Sequence, residues 1–255
     1  MKATAPHRRA RAPRAADART ALLGAATRLF AEHGYAATPT RAICAAAGAN
    51  VAAIHYYFGD KAGLYREVLL TPLREMTAQF GRFDDPALPF GAAMRMLLAP
   101  FVAPALPGEA QAETLAMRLH LREMLEPTPV FREIVATTIA PLHGALTGLL
   151  ARHCGLRAAD DEIHQLAFAM VAMANDYCMS REFMRLLAPG VLDRPNAAQR
   201  ILDRLVAYCE ALLAAEVARR GAQGGRGSRS RPQTNPAVNK PAARSRRGSE
   251  AQVAK

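Results

Sequence analysis

The side chains of this 255-residue chain that are equipped to move protons include His120, Arg122, Glu123, His143 and His153, enough for an acid–base site if a fold gathered them. Nothing in the sequence orders them. No nucleophile motif, phosphate-cradling glycine loop or metal-ligand spacing accompanies them. The four cysteines, Cys44, Cys154, Cys178 and Cys209, lack the close pairing that zinc and iron–sulfur sites use, and read as small buried apolar residues. No metal and no cofactor are expected, and an all-helical enzyme is a rival reading without a motif behind it.

The chemistry that remains is binding. The formal charge of +11 suggests a polyanionic partner, but its distribution matters more than its sum. Residues 1 to 19 hold six Lys or Arg against Asp17, and residues 219 to 255 hold ten against Glu250. The middle keeps 17 basic and 20 acidic residues, a slightly acidic body between two basic tails. A generally basic surface is excluded, so any grip on nucleic acid comes from a local motif assisted by the arms.

The elements that must position such a motif are helical. Half of the residues are apolar, Ala and Leu recur, aromatics are few, and no stretch alternates as a strand does. Asp17 caps a first helix with apolar positions at Leu22, Ala26, Leu29, Phe30 and His33, ending at Gly34. Thr38 is read as the cap of a second helix with Pro39 at its first position, running to Ala47 and stopping at Gly48. Asn50 caps a third through Ile54 to Phe58, and Asp60 a fourth from Lys61. Two short helices joined by Ala47-Gly48-Ala49-Asn50 have the length and turn chemistry of a helix-turn-helix. By spacing alone an ordinary helical hairpin fits equally well.

The residues are more specific than the spacing. Phe30-Ala31-Glu32-His33-Gly34-Tyr35-Ala36-Ala37-Thr38, Ile43, Ala47-Gly48, Ile54-His55-Tyr56-Tyr57-Phe58-Gly59-Asp60-Lys61 and Leu64 together resemble the signature of the TetR family across roughly fifty consecutive positions. The resemblance implies a three-helix DNA-binding head with Val51 to Phe58 in the major groove. On that footing Asn50, Ala52, Ala53 and His55 face base edges, the alanines meeting only thymine methyls. Tyr56, Tyr57, Lys61 and Thr38 match family positions that meet phosphates, with Thr40 beside them at the start of the second helix. One of the adjacent tyrosines is a core residue instead, and Tyr57 with Lys61 is ranked ahead. Ala49, Asn50 and His55 depart from the residues usual in the family, which affects the operator sequence and leaves the fold alone. The arm from Lys2 to Arg19 resembles extensions that reach a minor groove, or is simply a solvated tail.

Beyond a break at Gly81 to Pro89, helices are expected near 90–103, 110–125, 129–153, 160–187 and 196–219. Ile134 to Ala151 is uncharged but carries too many Thr, Gly and Pro residues for a membrane span, and is read as a buried helix kinked at Pro141. Leu121-Arg122-Glu123-Met124, Glu126-Pro127-Thr128-Pro129 and Phe131 resemble the CerR-type C-terminal domain of one TetR branch. That resemblance implies a regulatory domain that binds an effector and dimerises through its last two helices. Candidate pocket residues are Phe101, Met117, His120, Met124, Phe131, Phe168, Met173 and Tyr177, of which a minority line a cavity. Candidate dimer residues are Leu202, Leu205, Val206, Leu212 and Leu213, whose spacing equally fits a helix packed within its own subunit.

The expected protein is therefore all-α, with about nine helices. A basic disordered arm (1–16) precedes the helix-turn-helix head (17–75), an effector-binding and dimerisation domain (76–219) and a disordered basic tail (220–255). Its expected partners are a palindromic double-stranded DNA operator, a second copy of the chain and an unknown small-molecule effector, with no membrane. Repression in the cytoplasm, at the nucleoid, is the expected role. The alternative is a nonspecific nucleic-acid-binding or scaffold protein driven by its tails.

Overall fold

Helix-stop glycines and short polar caps divide the computed structural model much as they divide the sequence. The structure describes residues 15–102 and 110–227. Helix α1 spans Ala15–Ala37, α2 Thr40–Ala47, α3 Val51–Phe58, α4 Lys61–Ala78, α5 Phe90–Val102 and α6 Ala110–Leu125. Then come α7 (Pro129–Ile134), α8 (Ala140–His153), α9 (Asp161–Met179), α10 (Arg181–Leu187) and α11 (Ala197–Gly227). The nine expected helices become eleven segments among the described residues, because 129–153 changes its winding partway and 160–187 breaks at Ser180.

The local signals hold at most joints of the head, but α1 begins at Ala15, inside the stretch expected to be a disordered arm, so Asp17 lies in its first turn rather than capping it. Asn50 accepts from the Ala52 amide, and Asp60 accepts from the Gly63 amide at 2.7 Å. Gly48 closes α2 with φ +62°, a left-handed conformation that suits glycine. Thr38 behaves differently from expectation. Its hydroxyl donates backward to Gly34 O at 2.7 Å and to Leu29 O at 3.2 Å, so it staples the end of α1, while Pro39 takes the cap position of α2.

Two apolar clusters organise the chain. The lower one joins Leu22, Ala26 and Phe30 of α1, Ile43 of α2, Ile54 of α3 and Leu64, Tyr65 and Val68 of α4. It also takes in Leu119, Val130 and Ile134 of α6 and α7, so the head shares its core with the segment expected to belong to the other domain. His33, placed on the apolar stripe by its spacing, is exposed. The upper cluster is built on α5, whose Ala93, Met94, Leu97 and Leu98 lie between α9 (Ile163, Ala167, Met170, Ala174) and α11 (Ile201, Leu205, Cys209). Phe80 and Phe83 anchor the Gly81–Pro89 connection in it.

Two further expectations are corrected. Around Pro141 the winding changes instead of staying α-helical throughout: a π-helical turn at Val135–Ile139 precedes it and puts Pro141 in the first turn of α8. Pro129–His153 is long and apolar enough to cross a membrane by length and composition, with a mean hydropathy of 1.5 over an 18-residue stretch within it. It nevertheless buries Phe131, Ile134, Leu146, Leu149 and Leu150 in the fold. Helix also continues through residues 220–227, where a disordered tail was expected. Arg220 there pairs with Asp160 at 2.8 Å, while Arg219 pairs with Glu162 and Glu216, each at 2.7 Å. The rest of the tail, 228–255, and arm residues 1–14 lie outside the described residues.

Candidate nucleic-acid interface

α3 is short enough to be read as two faces. Ile54 is buried, and Ala53, Tyr57 and Phe58 pack against the lower cluster, which fixes the helix on the head. The other face presents Val51, Ala52, His55 and Tyr56 to solvent, with Asn50 at the entry. Tyr56 is 80% exposed and its ring meets Tyr57 edge-on at 4.8 Å. The ranking of the two tyrosines is thus reversed: Tyr57 is the packing residue and Tyr56 the presented one. Val51, 54% exposed, joins the surface unannounced by the sequence reading, although its place in the first turn after the Asn50 cap was a usable signal.

His55 Nδ1 lies 2.5 Å from Gly59 O, so in the neutral ring that nitrogen carries the proton and Nε2 is left as an acceptor. Lys61 is more committed than expected. Its ammonium sits 4.6 Å above the Tyr35 ring and donates to Ala36 O at 3.3 Å, and burial lowers its pKa from the ordinary value. Thr38 is 1% exposed with its hydroxyl spent inside the head, so that side chain cannot reach a phosphate. Thr40 is half-buried at the start of α2, and Arg41 beside it is exposed. Arg19, counted with the basic arm, belongs to α1, where it pairs with Glu67 at 2.9 Å and stacks over Phe58.

The head thus presents one short helix on a rigid platform, with hydrogen-bonding and apolar tips and the N-terminus of α2 beside it. The comparisons decide what that platform is. Residues 22–68 match the model of the bacterial regulatory proteins of the tetR family, and residues 92–216 match the C-terminal domain of the HTH-type transcriptional dual regulator CecR. This chain belongs to the TetR family. The name of its branch is CecR rather than CerR.

A TetR-family relative, the HTH-type transcriptional dual regulator CecR of Shigella flexneri, is 30% identical over 178 residues, covering 67% of this chain and 79% of the relative. Two solved structures share the fold. A transcriptional regulator from Pseudomonas aeruginosa PAO1 aligns with a TM-score of 0.55 at 18% identity, covering 81% of this chain and 93% of that one. A TetR-like regulator from Rhodococcus sp. RHA1 aligns with 0.54 at 19% identity, covering 82% and 99%. The chain is a DNA-binding transcriptional regulator of this family, which is one of regulators rather than enzymes.

The eight candidate pocket residues do not come together. Met117 and His120 on α6 are half-buried, and the His120 ring meets Phe131 of α7 edge-on at 6.2 Å. Burial lowers the His120 pKa. Phe101, Met173 and Tyr177 belong instead to the upper cluster, Phe101 stacking on Phe80 at 6.1 Å. Met124 and Phe168 are exposed, at 63% and 64%, because each lies on the outward turn of its helix. Two shallow grooves of about 410 and 360 Å³, one along Phe90, His153 and Glu210 and one along Ala31, Arg118 and Leu125, contain none of the eight.

The five dimer candidates are corrected as a group. Leu202, Leu205, Val206 and Leu213 are buried, and Leu212 packs against the same upper cluster, so their stripe faces α5 of the same chain. The outward face of α11 carries Ala207, Tyr208, Ala211 and Ala215.

Proposed function

We propose that this TetR-family chain is a homodimeric repressor that holds a palindromic operator and is released by a small molecule. The observation that carries the reading is the division of α3, whose Ile54 side is locked into the head while Val51, Ala52, His55 and Tyr56 stand free. Such a helix fits a major groove: Asn50 offers an amide, His55 Nε2 can accept from the exocyclic amines of adenine or cytosine, and Val51 and Ala52 suit thymine methyls. Tyr56, Arg41 and Lys61 are placed at its margins for phosphates, with Thr40 at a helix N-terminus. Ala53 and Tyr57 keep a supporting role.

A single eight-residue helix reads few bases, so two copies on paired half-sites supply the specificity. The second copy docks on the outward faces of α9 and α11, where Phe168, Ala172, Ala207, Tyr208, Ala211 and Ala215 are exposed. Small residues there permit close helix approach and the two aromatics supply area. The effector sits between α6 and α7, near Met117, His120 and Phe131, and favours a conformation whose two heads are wrongly spaced for DNA. The protein acts in the cytoplasm.

The test is selection from fragmented DNA of the source genome at controlled salt, followed by sequencing of the retained pieces. Enrichment of a palindrome, lost in a His55→Ala, Tyr56→Ala double variant that still folds, is the expected result. Retention without sequence preference that disappears on removal of residues 228–255 would instead favour a tail-driven nucleic-acid binder. Because the Shigella relative is a dual regulator, the sign of control is measured separately. A reporter on the recovered site rises on deletion of a repressor and falls on deletion of an activator.

A further inference from the structure

Glu123 is the most deeply buried carboxylate among the described residues, 1% exposed, and its carboxylate is held by partners outside its own helix. Its Oε1 accepts from Tyr65 Oη of α4 at 2.5 Å and from Thr128 Oγ1 at 3.0 Å. Its Oε2 accepts from the Thr128 amide at 2.7 Å. Thr128 is the cap of α7, its hydroxyl oxygen accepting from the Phe131 amide at 3.2 Å. One carboxylate on α6 therefore holds the start of α7 and the N-terminal part of α4 at once. A buried charge is costly to leave unpaired, so this arrangement tolerates little displacement of any partner.

The same knot reaches the DNA-facing side. Burial and the adjacent carboxylate push the Tyr65 phenol well above its ordinary pKa, which keeps it the donor. Its ring packs edge-on to Phe30 at 4.7 Å and against Tyr35 at 4.8 Å, and Tyr35 is the ring beneath Lys61. The neighbouring Arg122 lies over Gly34, where α1 breaks with φ +80°. Adjacent residues of α6 thus grip the two helices that bracket the helix-turn-helix.

We propose that Glu123 is a positioning residue for DNA binding: through Tyr65 and Thr128 it sets the angle of the head on the body, and so the spacing at which two heads meet their half-sites. This rests on the dimeric operator-binding reading. It assigns the Arg122 to Thr128 stretch to the junction between head and body rather than to an effector pocket.

The experiment uses the full-length chain and the palindrome recovered from genomic selection, with its spacer lengthened or shortened by one base pair. Tyr65→Phe removes the hydroxyl and keeps the ring, Glu123→Gln keeps the shape, and Thr128→Ser keeps both cap and donor. The expected result is that Tyr65→Phe and Glu123→Gln melt cooperatively yet lose about tenfold in affinity for the native spacer, in the range of coupling between sites. On the altered spacers they lose less, so the spacer preference flattens, while Thr128→Ser matches the parent. Equal loss on every spacer, or no loss in either variant, overturns the proposal while the parent still binds its palindrome. Failure of the parent to recover any palindrome removes the operator-binding reading and this inference together.

Discussion

At Gly63, an added Cβ would stand 1.9 Å from Phe58 O, where the C-terminus of α3 crosses the start of α4. Backbone cannot yield as a side-chain tip can. Gly63→Ala is expected to destabilise the chain by about 1–3 kcal/mol, as overpacking does, and to weaken DNA binding further by tilting α3; a thermal melt paired with a binding isotherm checks both. Histidine supplies a second prediction. Burial lowers the His120 pKa, and burial followed by the charge of His164 lowers that of His143, whose Nε2 lies 2.8 Å from His164 Nδ1. The unfolded chain binds more protons once pH drops below the unperturbed 6.5. Stability is therefore full above that value and declines as pH falls through it toward the lowered folded values. The melting temperature is expected to drop between about pH 7.5 and 5.5, and a His120→Gln, His143→Gln variant to flatten that slope.

At the scale of elements, the test lies in the two faces of α11. Leu205 is 2% exposed against α5, and a charge there has no water and no partner. Leu205→Asp should abolish cooperative folding. Ala211→Glu, on the outward face, should leave helix content and melting nearly intact while sedimentation reports a monomer. If Ala211→Glu remains dimeric, the outward face is not the interface. Caps and stops of the head were legible in the sequence because each is decided within four residues: Asn50, Asp60, Gly48 and Gly34 all act locally. Thr38 was misread although its partner is equally local: its hydroxyl can donate back to Gly34 O four residues upstream or accept from an amide of α2, and spacing alone does not choose between them.

At the scale of the molecule, the head and body are less separate than two family matches suggest, because the lower core draws Leu119, Val130 and Ile134 from the body. A signal in α6 or α7 has no linker to cross before it reaches α4. The residues themselves determined the helical class, the helix-turn-helix, the Asn50 cap of α3 and the family, since all of these depend on local pattern and short motifs. Tertiary structure alone decided which apolar stripe of α11 turns inward, which of Tyr56 and Tyr57 is presented, and that Glu123 ties three helices together. A helix with apolar residues at a 3.6-residue period reads the same whether they face its own core or a second copy, and a glutamate 58 residues from its tyrosine leaves no trace in spacing. Only packing brings such partners together, because it is set by the sum of many weak contacts across the whole chain.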